Sequence, residues 1–597
     1  MTDFRRGLDD NPLRHMGAIG DQNTLALVAA DGTIPYLCWP RLDSPSVFSA
    51  LLSGSKGSRI SIASANDFQP LNQTYQQGTN ILETVLSSDT GKLVITDFMV
   101  PGHGPLLYRM FNCVDGELSF NLNIAPAPDY ERKPAHFTRI LETSIACHTT
   151  TSPIIVHGEH ALSTHPEMVT LSCNLEAGEQ TWVALSDSEM HPEPAQKQLP
   201  QVAQFWDRWL SQFTLQNTHR AIVERSILAF GLLHMRSFGS VAAAGTFGLP
   251  EAPGGERNWD YRYTWVRDAA LAAQIAARLG ATDIAHQWLD AVILQSAACE
   301  RSPLNLMLAL DGKTVDKETE LDQFKGLFDA RPVRLGNEAS GQLQLDIFGE
   351  LVLGLRSLAE AGGTIAGKTL DRLHTLLTWL ADNWNKPDSS IWELRGEEKH
   401  YLFSRLMCWV AFRDGPKVLE RAGRAVPDDW NSLGDKIADN IHDQFWCPNQ
   451  SSYMQTADCS VVDAAVICLR LYGFLQKEDL RWQQSKANIR KHLVLPEGVL
   501  RYPKGADDGF KSDDNSFVLC TCWWIEVLVM DGDRDEATLL FDQLCGSFGS
   551  TGLASEEIGE DGLLLGNIPQ LFSHMGLVRA ALALHNHPIP EDRSLAI

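Results

Sequence analysis

Apolar and polar residues alternate strictly through Glu117-Leu118-Ser119-Phe120-Asn121-Leu122-Asn123-Ile124. A period of two puts Leu118, Phe120, Leu122 and Ile124 on one face of a half-buried strand. Similar short runs lie near 58–63, 92–98, 168–175 and 181–185, separated by clusters of Gly, Asn, Asp and Pro. Residues 1–200 therefore predict an antiparallel β-sandwich domain. Beyond about residue 215 the pattern turns helical. It predicts twelve helices, near 217–237, 267–279, 282–300, 342–361, 368–386, 403–423, 428–444, 459–475, 479–492, 515–531, 534–547 and 570–586. No strand–helix–strand alternation occurs. Six helical hairpins suggest a closed ring with its loops gathered at one end. The proline-bearing stretch 186–215 (Pro192, Pro194, Pro200) predicts the connection, with 201–215 as linker and 216–597 as the helical domain. The expected fold class is thus multidomain, β followed by all-α.

Composition narrows the partners. The chain has 597 residues and a net charge of −25, from 75 acidic and 50 basic residues. Such a field repels nucleic acid and anionic membrane surfaces. No stretch has the apolar length of a membrane span. Arg5-Arg6 is followed by no apolar run, so an export signal is not expected, and the expected compartment is the cytoplasm. The 12 cysteines are scattered without a Cys-x-x-Cys pair and predict buried free thiols.

Candidate chemistry concentrates in Arg257-Asn258-Trp259-Asp260-Tyr261-Arg262-Tyr263-Thr264-Trp265-Val266-Arg267-Asp268. The run mixes rings with charges in a way neither a core segment nor a solvated face requires. A concave site for a neutral, many-hydroxyl ligand needs both: rings for C–H faces, and forks and carboxylates for hydroxyls. Leu271, Ile275 and Leu279 then follow at four-residue spacing, so Arg267 and Asp268 sit at a helix N-terminus. An N-cap and a structural ion pair are the plainer account of that pair. Other loops are also rich in polar chemistry: 332–337 with Arg334, 392–396 with Trp392 and Glu393, 500–503 with Arg501, and 554–557 with Glu556.

Cleavage of a glycosidic bond needs two carboxyl groups, one protonated and one ionised. Glu393 beside Trp392, and Glu556 in a Ser-Glu-Glu run, are candidates 163 residues apart. Their acidic neighbours Glu397, Glu398 and Glu557 leave the choice open at this level. Nucleotide-binding glycine loops, a Gly-x-Ser-x-Gly elbow and a His-Glu-x-x-His metal motif are absent from the sequence. No cofactor or metal is expected.

At these loops the chain resembles glycoside hydrolase family 15, and within it a two-domain bacterial branch of glucoamylase- and trehalase-like proteins. The resemblance spans nearly the whole chain. It is carried by Ile19-Gly20-Asp21-Gln22-Asn23, by 38–45 with Trp39 and Arg41, and by the 257–268 run. Later it is carried by Gln342, Gln344, Asp346, Gly349 and Glu350, by Trp392 to Trp409, and by Gly566-Asn567-Ile568-Pro569-Gln570-Leu571-Phe572-Ser573-His574. It implies an N-terminal β-sandwich on an (α/α)6 toroid, a pocket at one mouth, and inversion at the anomeric carbon. Residue by residue, it implies Glu393 as general acid and Glu556 as general base. It implies Arg267, Asp268 and Arg501 as hydroxyl-binding groups, Trp265, Trp392 and Tyr263 as subsite walls, and Arg334 as a further pocket residue. Inversion implies carboxyl groups roughly 6.5–9.5 Å apart. Arg405 after Ser404, the acidic pair Glu397-Glu398 and the segment 507–514 depart from the branch pattern where the leaving group would be recognised. The missing export signal and the branch lead to α,α-trehalase as the expected activity on a small α-glucoside. The alternative is a glucoamylase or α-glucosidase acting on malto- or isomalto-oligosaccharides. A disaccharide phosphorylase and a non-catalytic sugar-binding protein rank below these.

Overall fold

The computed structural model describes residues 11–585 apart from 55, 65–66, 103, 217, 296–300, 459–460 and 507–508. Asp507-Asp508 and parts of the expected helices 282–300, 459–475 and 570–586 lie outside the described residues. Strands Met16–Gly20, Leu25–Ala29, Tyr36–Cys38 and Ser46–Phe48 form a four-stranded antiparallel sheet in chain order. An eleven-stranded sheet is organised by the 20-residue strand Leu106–Ala125. Its first half pairs with Gly91–Met99 and Gln180–Ser186, its second with Arg59–Ser64 and Met168–Glu176. The alternating run is that second half. Leu118, Phe120, Leu122 and Ile124 are buried opposite Leu175, Cys173, Leu171 and Val169. Ile19, Val28 and Leu37 of the small sheet share one apolar core with Leu93, Ile95 and Phe111 of the large one.

The helical half closes into a ring. Its inner members are Val266–Arg278, Asp346–Glu360, Leu402–Arg421, the short pair Ala464–Ile467 and Cys468–Leu471, Val518–Asp531 and Leu571–Leu584. Each packs on the next, and the last packs back on the first. Outside them run Arg220–Leu233, Thr282–Gln295, Gly367–Asn383, Asp429–Gln444, Leu480–His492 and Arg534–Gly546. The inner helices are buried around most of their circumference, which explains runs such as Val518-Leu519-Cys520-Thr521-Cys522-Trp523-Trp524-Ile525. Gly349 permits one close approach: a Cβ there would stand 2.3 Å from the Met407 carbonyl oxygen of the neighbouring inner helix. The expected helix 459–475 is reduced to a 3-10 turn and one helical turn. The loops preceding the inner helices hold the candidate chemistry, so ring closure gathers them at one mouth.

The expected linker differs from the structure. Ala195–Leu210 is a helix that contains Pro200, and it continues through most of 201–215. Its Trp209 indole donates to the Ile227 carbonyl at 2.8 Å, seating it on the first outer helix. The two halves share an apolar core that joins Met16 and Leu27 to Ile227 and Phe230. A buried polar bolt crosses the same interface. Arg262 pairs with Asp260 at 2.7 Å, with both side chains at most 1% exposed. The guanidinium also donates to the carbonyls of Ser44 at 2.8 Å and Leu42 at 3.3 Å, within the 38–45 motif of the β-domain. Arg262→Ala removes the cation and leaves Asp260 buried without it. Loss of one member of a buried pair costs about 3–5 kcal/mol. Chemical denaturation followed by fluorescence should therefore show a destabilisation of that order. A change under about 1 kcal/mol would show that the bolt is dispensable.

Candidate active site

A cavity of about 810 Å³ opens at the mouth of the ring. Glu393, Glu556, Arg267, Asp268, Arg501, Trp265 and Trp392 all line it. Tyr263 and Arg334 do not. The strand Asn258–Asp260 and the residues after it alternate, turning Trp259 and Tyr261 to the cavity and Asp260 and Arg262 to the domain interface. A bend at Tyr263 breaks that alternation, and its charged neighbours are Asp260 and Arg262 on the interface side. Tyr261 takes the place expected for Tyr263. Arg334 stands behind Trp259, its guanidinium 5.0 Å from the ring centroid, held by Glu318 at 3.2 Å and the Glu256 carbonyl at 2.6 Å.

Glu393 sits in a tight turn and adopts φ +56°, in the left-handed region. For a residue with a Cβ this conformation costs roughly 1–3 kcal/mol, so the surroundings must hold it. Its Oε1 accepts from the Trp265 indole at 2.8 Å and from Arg267 Nη2 at 3.0 Å. Arg267 Nη1 donates to Gln344 at 2.8 Å and faces Asp346 at 3.4 Å. Trp392 lines the same cavity as Glu393. Its indole donates to buried Asp463 at 2.8 Å, and its ring packs against Phe517. Asp268 has no hydrogen-bonded side-chain partner among the described residues. Burial pushes its carboxyl up to about 7, against the opposing charge of Arg267.

Glu556 is 3% exposed. Burial, then the charge of Glu251, raise its carboxyl well above the ordinary range, and Arg501 opposes them. Oε1 accepts from Gln570 at 3.2 Å, and Oε2 is buried without a hydrogen-bond partner among the described residues. Gln570 is itself fixed, since its Oε1 accepts the Ser573 amide at 3.0 Å. The Tyr261 hydroxyl, on the same cavity wall, favours the ionised form of Glu556 and so also opposes the rise. Behind the carboxyl lies Gly566 at φ +79°, where a Cβ would stand 2.9 Å from Oε2.

Arg501 is committed on several sides. Its Nη2 lies 2.9 Å from Glu251, 2.5 Å from Asp514 and 2.8 Å from Glu557. These three carboxylates are close enough together to suit a metal ion. The guanidinium already among them is the cation they face. Glu251 also accepts the Trp259 indole at 2.6 Å, which ties the aromatic wall to the charge cluster. Farther out, Phe510 meets Trp259 edge-on at 5.4 Å, with Arg257 4.9 Å from Phe510 and Arg395 4.6 Å from Trp259. These rings and forks offer a second place for a polyol at the rim.

Tyr261, Glu251, Gln570, Gln344 and Asp514 complete the site without having been singled out for it. Gln344 and Gln570 lie within motifs noted in the sequence, but neutral amides carry no titration signal there. Glu251 and Asp514 are two of 75 acidic residues and gain meaning only through Arg501.

The family model for "Glycosyl hydrolases family 15" matches residues 217–582, and one for "Trehalase-like, N-terminal" matches residues 3–161. A trehalase of Thermoplasma acidophilum is 31% identical, over 93% of this chain and 97% of its own. A trehalase of Mycobacterium tuberculosis is 30% identical, over 96% of this chain and 89% of its own. Among solved structures, a bacterial glucoamylase complexed with acarbose superposes with a TM-score of 0.71 at 12% identity, covering 96% of this chain and 94% of the other. That likeness shows the fold, a sheet-rich N-terminal domain followed by an (α/α)6 toroid. With more than half its length under the family model and relatives matched almost end to end, the chain belongs to glycosyl hydrolases family 15, and it is a glycoside hydrolase.

Proposed function

We propose that this glycoside hydrolase is an inverting, exo-acting α,α-trehalase. The observation that carries the chemistry is that Glu393 and Glu556, on loops far apart in sequence, line one cavity beside Arg267 and Asp268. The trehalase relatives support the substrate. Arg267 and Asp268 hold the hydroxyls of one glucose, with Trp265, Tyr261 and Trp392 as walls. Arg501 fixes the carboxylates of Glu251, Asp514 and Glu557 around that pocket. Both donors to Glu393 fall on Oε1, which leaves Oε2 to deliver a proton to the glycosidic oxygen. Glu556 takes a proton from water in the cavity it lines. The water oxygen bonds to the anomeric carbon on the face opposite the departing sugar, whose oxygen leaves with the proton from Glu393. The ten cysteines among the described residues are all free, eight of them buried. That suits a reducing compartment, and we assign the cytoplasm.

A second reading exchanges the two roles. Within the pocket Glu393 meets an arginine and an indole donor, while burial favours neutral Glu556. α-Glucosyl fluoride separates the readings, because fluoride departs without a proton. Glu393→Gln should lose trehalose hydrolysis by roughly 100-fold or more and keep most turnover of the fluoride. Glu556→Gln should lose both. The opposite pattern would exchange the roles. Proton NMR on trehalose, with phosphate present and withheld, should show equal initial amounts of α- and β-glucose. Release from maltose, isomaltose or panose without trehalose cleavage would move the enzyme to the glucoamylase side. A strict phosphate requirement would favour phosphorolysis.

Asp268 also has a stability signature. Its folded carboxyl titrates near 7 against 3.8 for the free group. The folded state therefore binds a proton that the unfolded chain releases, and this contribution to stability falls as pH climbs from about 4 to about 7. Asp268→Asn removes that slope. Melting curves should show the variant gaining on the parent between pH 5 and pH 8 while losing hydrolysis. An unchanged difference between the two pH values would overturn the assignment.

A further inference from the structure

The motif Gln342-Leu343-Gln344-Leu345-Asp346 runs from the mouth into the second inner helix, and neither amide has a part in the chemistry above. The two amides form a directional chain. Arg267 can only donate, so the oxygen of Gln344 faces its Nη1 at 2.8 Å. The Gln344 amide nitrogen is then left to donate, and it meets Gln342 Oε1 at 3.1 Å. The Gln342 nitrogen in turn donates to the backbone carbonyls of Glu393 at 3.2 Å and Leu394 at 3.3 Å. The circuit closes through Arg267 Nη2, which donates to Glu393 Oε1 at 3.0 Å. Glu393 is thus gripped at both ends, at its carboxylate by Arg267 and at its backbone by Gln342. This is the residue whose φ of +56° must be held from outside.

We propose that Gln342 is a positioning residue for the proton donor: it holds the Glu393 backbone in its left-handed conformation, so that the carboxyl stays in line with the glycosidic oxygen. This rests on the reading of Glu393 as the acid. The polarity of the circuit matters as much as its shape. Gln344 spends its oxygen on Arg267, so only an amide at 342 can accept from Gln344 and donate to two carbonyls at once. A carboxylate at 342 would keep the size and set an acceptor against both carbonyls. An apolar residue would remove both links.

Gln342→Leu and Gln342→Glu, each checked for native fold by circular dichroism, would be assayed on trehalose and on α-glucosyl fluoride. A misplaced proton donor affects only the substrate whose leaving group needs the proton. Each variant should lose about 100-fold in kcat on trehalose, with little change in KM, and keep fluoride hydrolysis within a few-fold of the parent. Equal losses on both substrates would mean general damage to the pocket and overturn the proposal, as would full trehalose activity in both variants. Gln342→Glu offers a reading if Gln342→Leu does not fold. Glu393→Gln, assayed in parallel, separates the two levels of the argument. If it loses the fluoride as well, the acid assignment fails and the proposal with it. If it keeps the fluoride while the Gln342 variants lose both substrates, the role of Gln342 alone fails.

Discussion

Closure of the inner ring is the constraint on which the site depends. Six apolar inner elements bury themselves against one another, and the last, Leu571–Leu584, packs on the first, Val266–Arg278. Each is preceded by a loop at the same mouth. The positive ends of the helix dipoles therefore gather there. An acidic pocket lined by Glu251, Asp268, Glu393 and Glu556 is tolerable in that field, and more so with Arg267 and Arg501 inside it.

The arginines divide the work of holding this charge. Arg262 faces away from the cavity and joins the catalytic segment to the β-domain through Ser44 and Leu42. Arg267 links the helix start to Glu393 and, through Gln344, to the next inner loop. Arg501 gathers carboxylates from three other stretches. Each is buried, and each is worth more as an organiser than as a source of stability, since desolvating such pairs offsets most of their attraction. The result is a pocket whose charged groups are set before a ligand arrives.

Periodicity made much of the fold legible. The alternation of 117–124 and the helical stretches depend on local burial, which sequence records directly. The helix Ala195–Leu210 was hidden by its prolines, because Pro200 reads as a breaker although the helix contains it. Tyr263 and Tyr261 could not be told apart by alternation, since the bend at Tyr263 resets it. The carboxylates around Arg501 come from three separate stretches, Glu251 lying 250 residues before it and Asp514 and Glu557 following at 13 and 56, which no local pattern connects. That Glu393 and Glu556 line one cavity accords with the motif resemblance, while the contacts of Gln342 and Gln570 depend on hydrogen-bond direction, which residue type alone does not encode.

The order in which the chain is made adds one consequence. The helix that closes the ring is the last of the inner six to leave the ribosome, and Gln570, which steadies Glu556, immediately precedes it. Until then the first and fifth inner elements, Val266–Arg278 and Val518–Asp531, lack the neighbour that completes their apolar enclosure. The β-domain lies wholly ahead of that helix in the chain, and so do both partners that Arg262 uses there, Ser44 and Leu42. The same helix therefore completes the apolar ring and carries at its start the amide that meets Glu556.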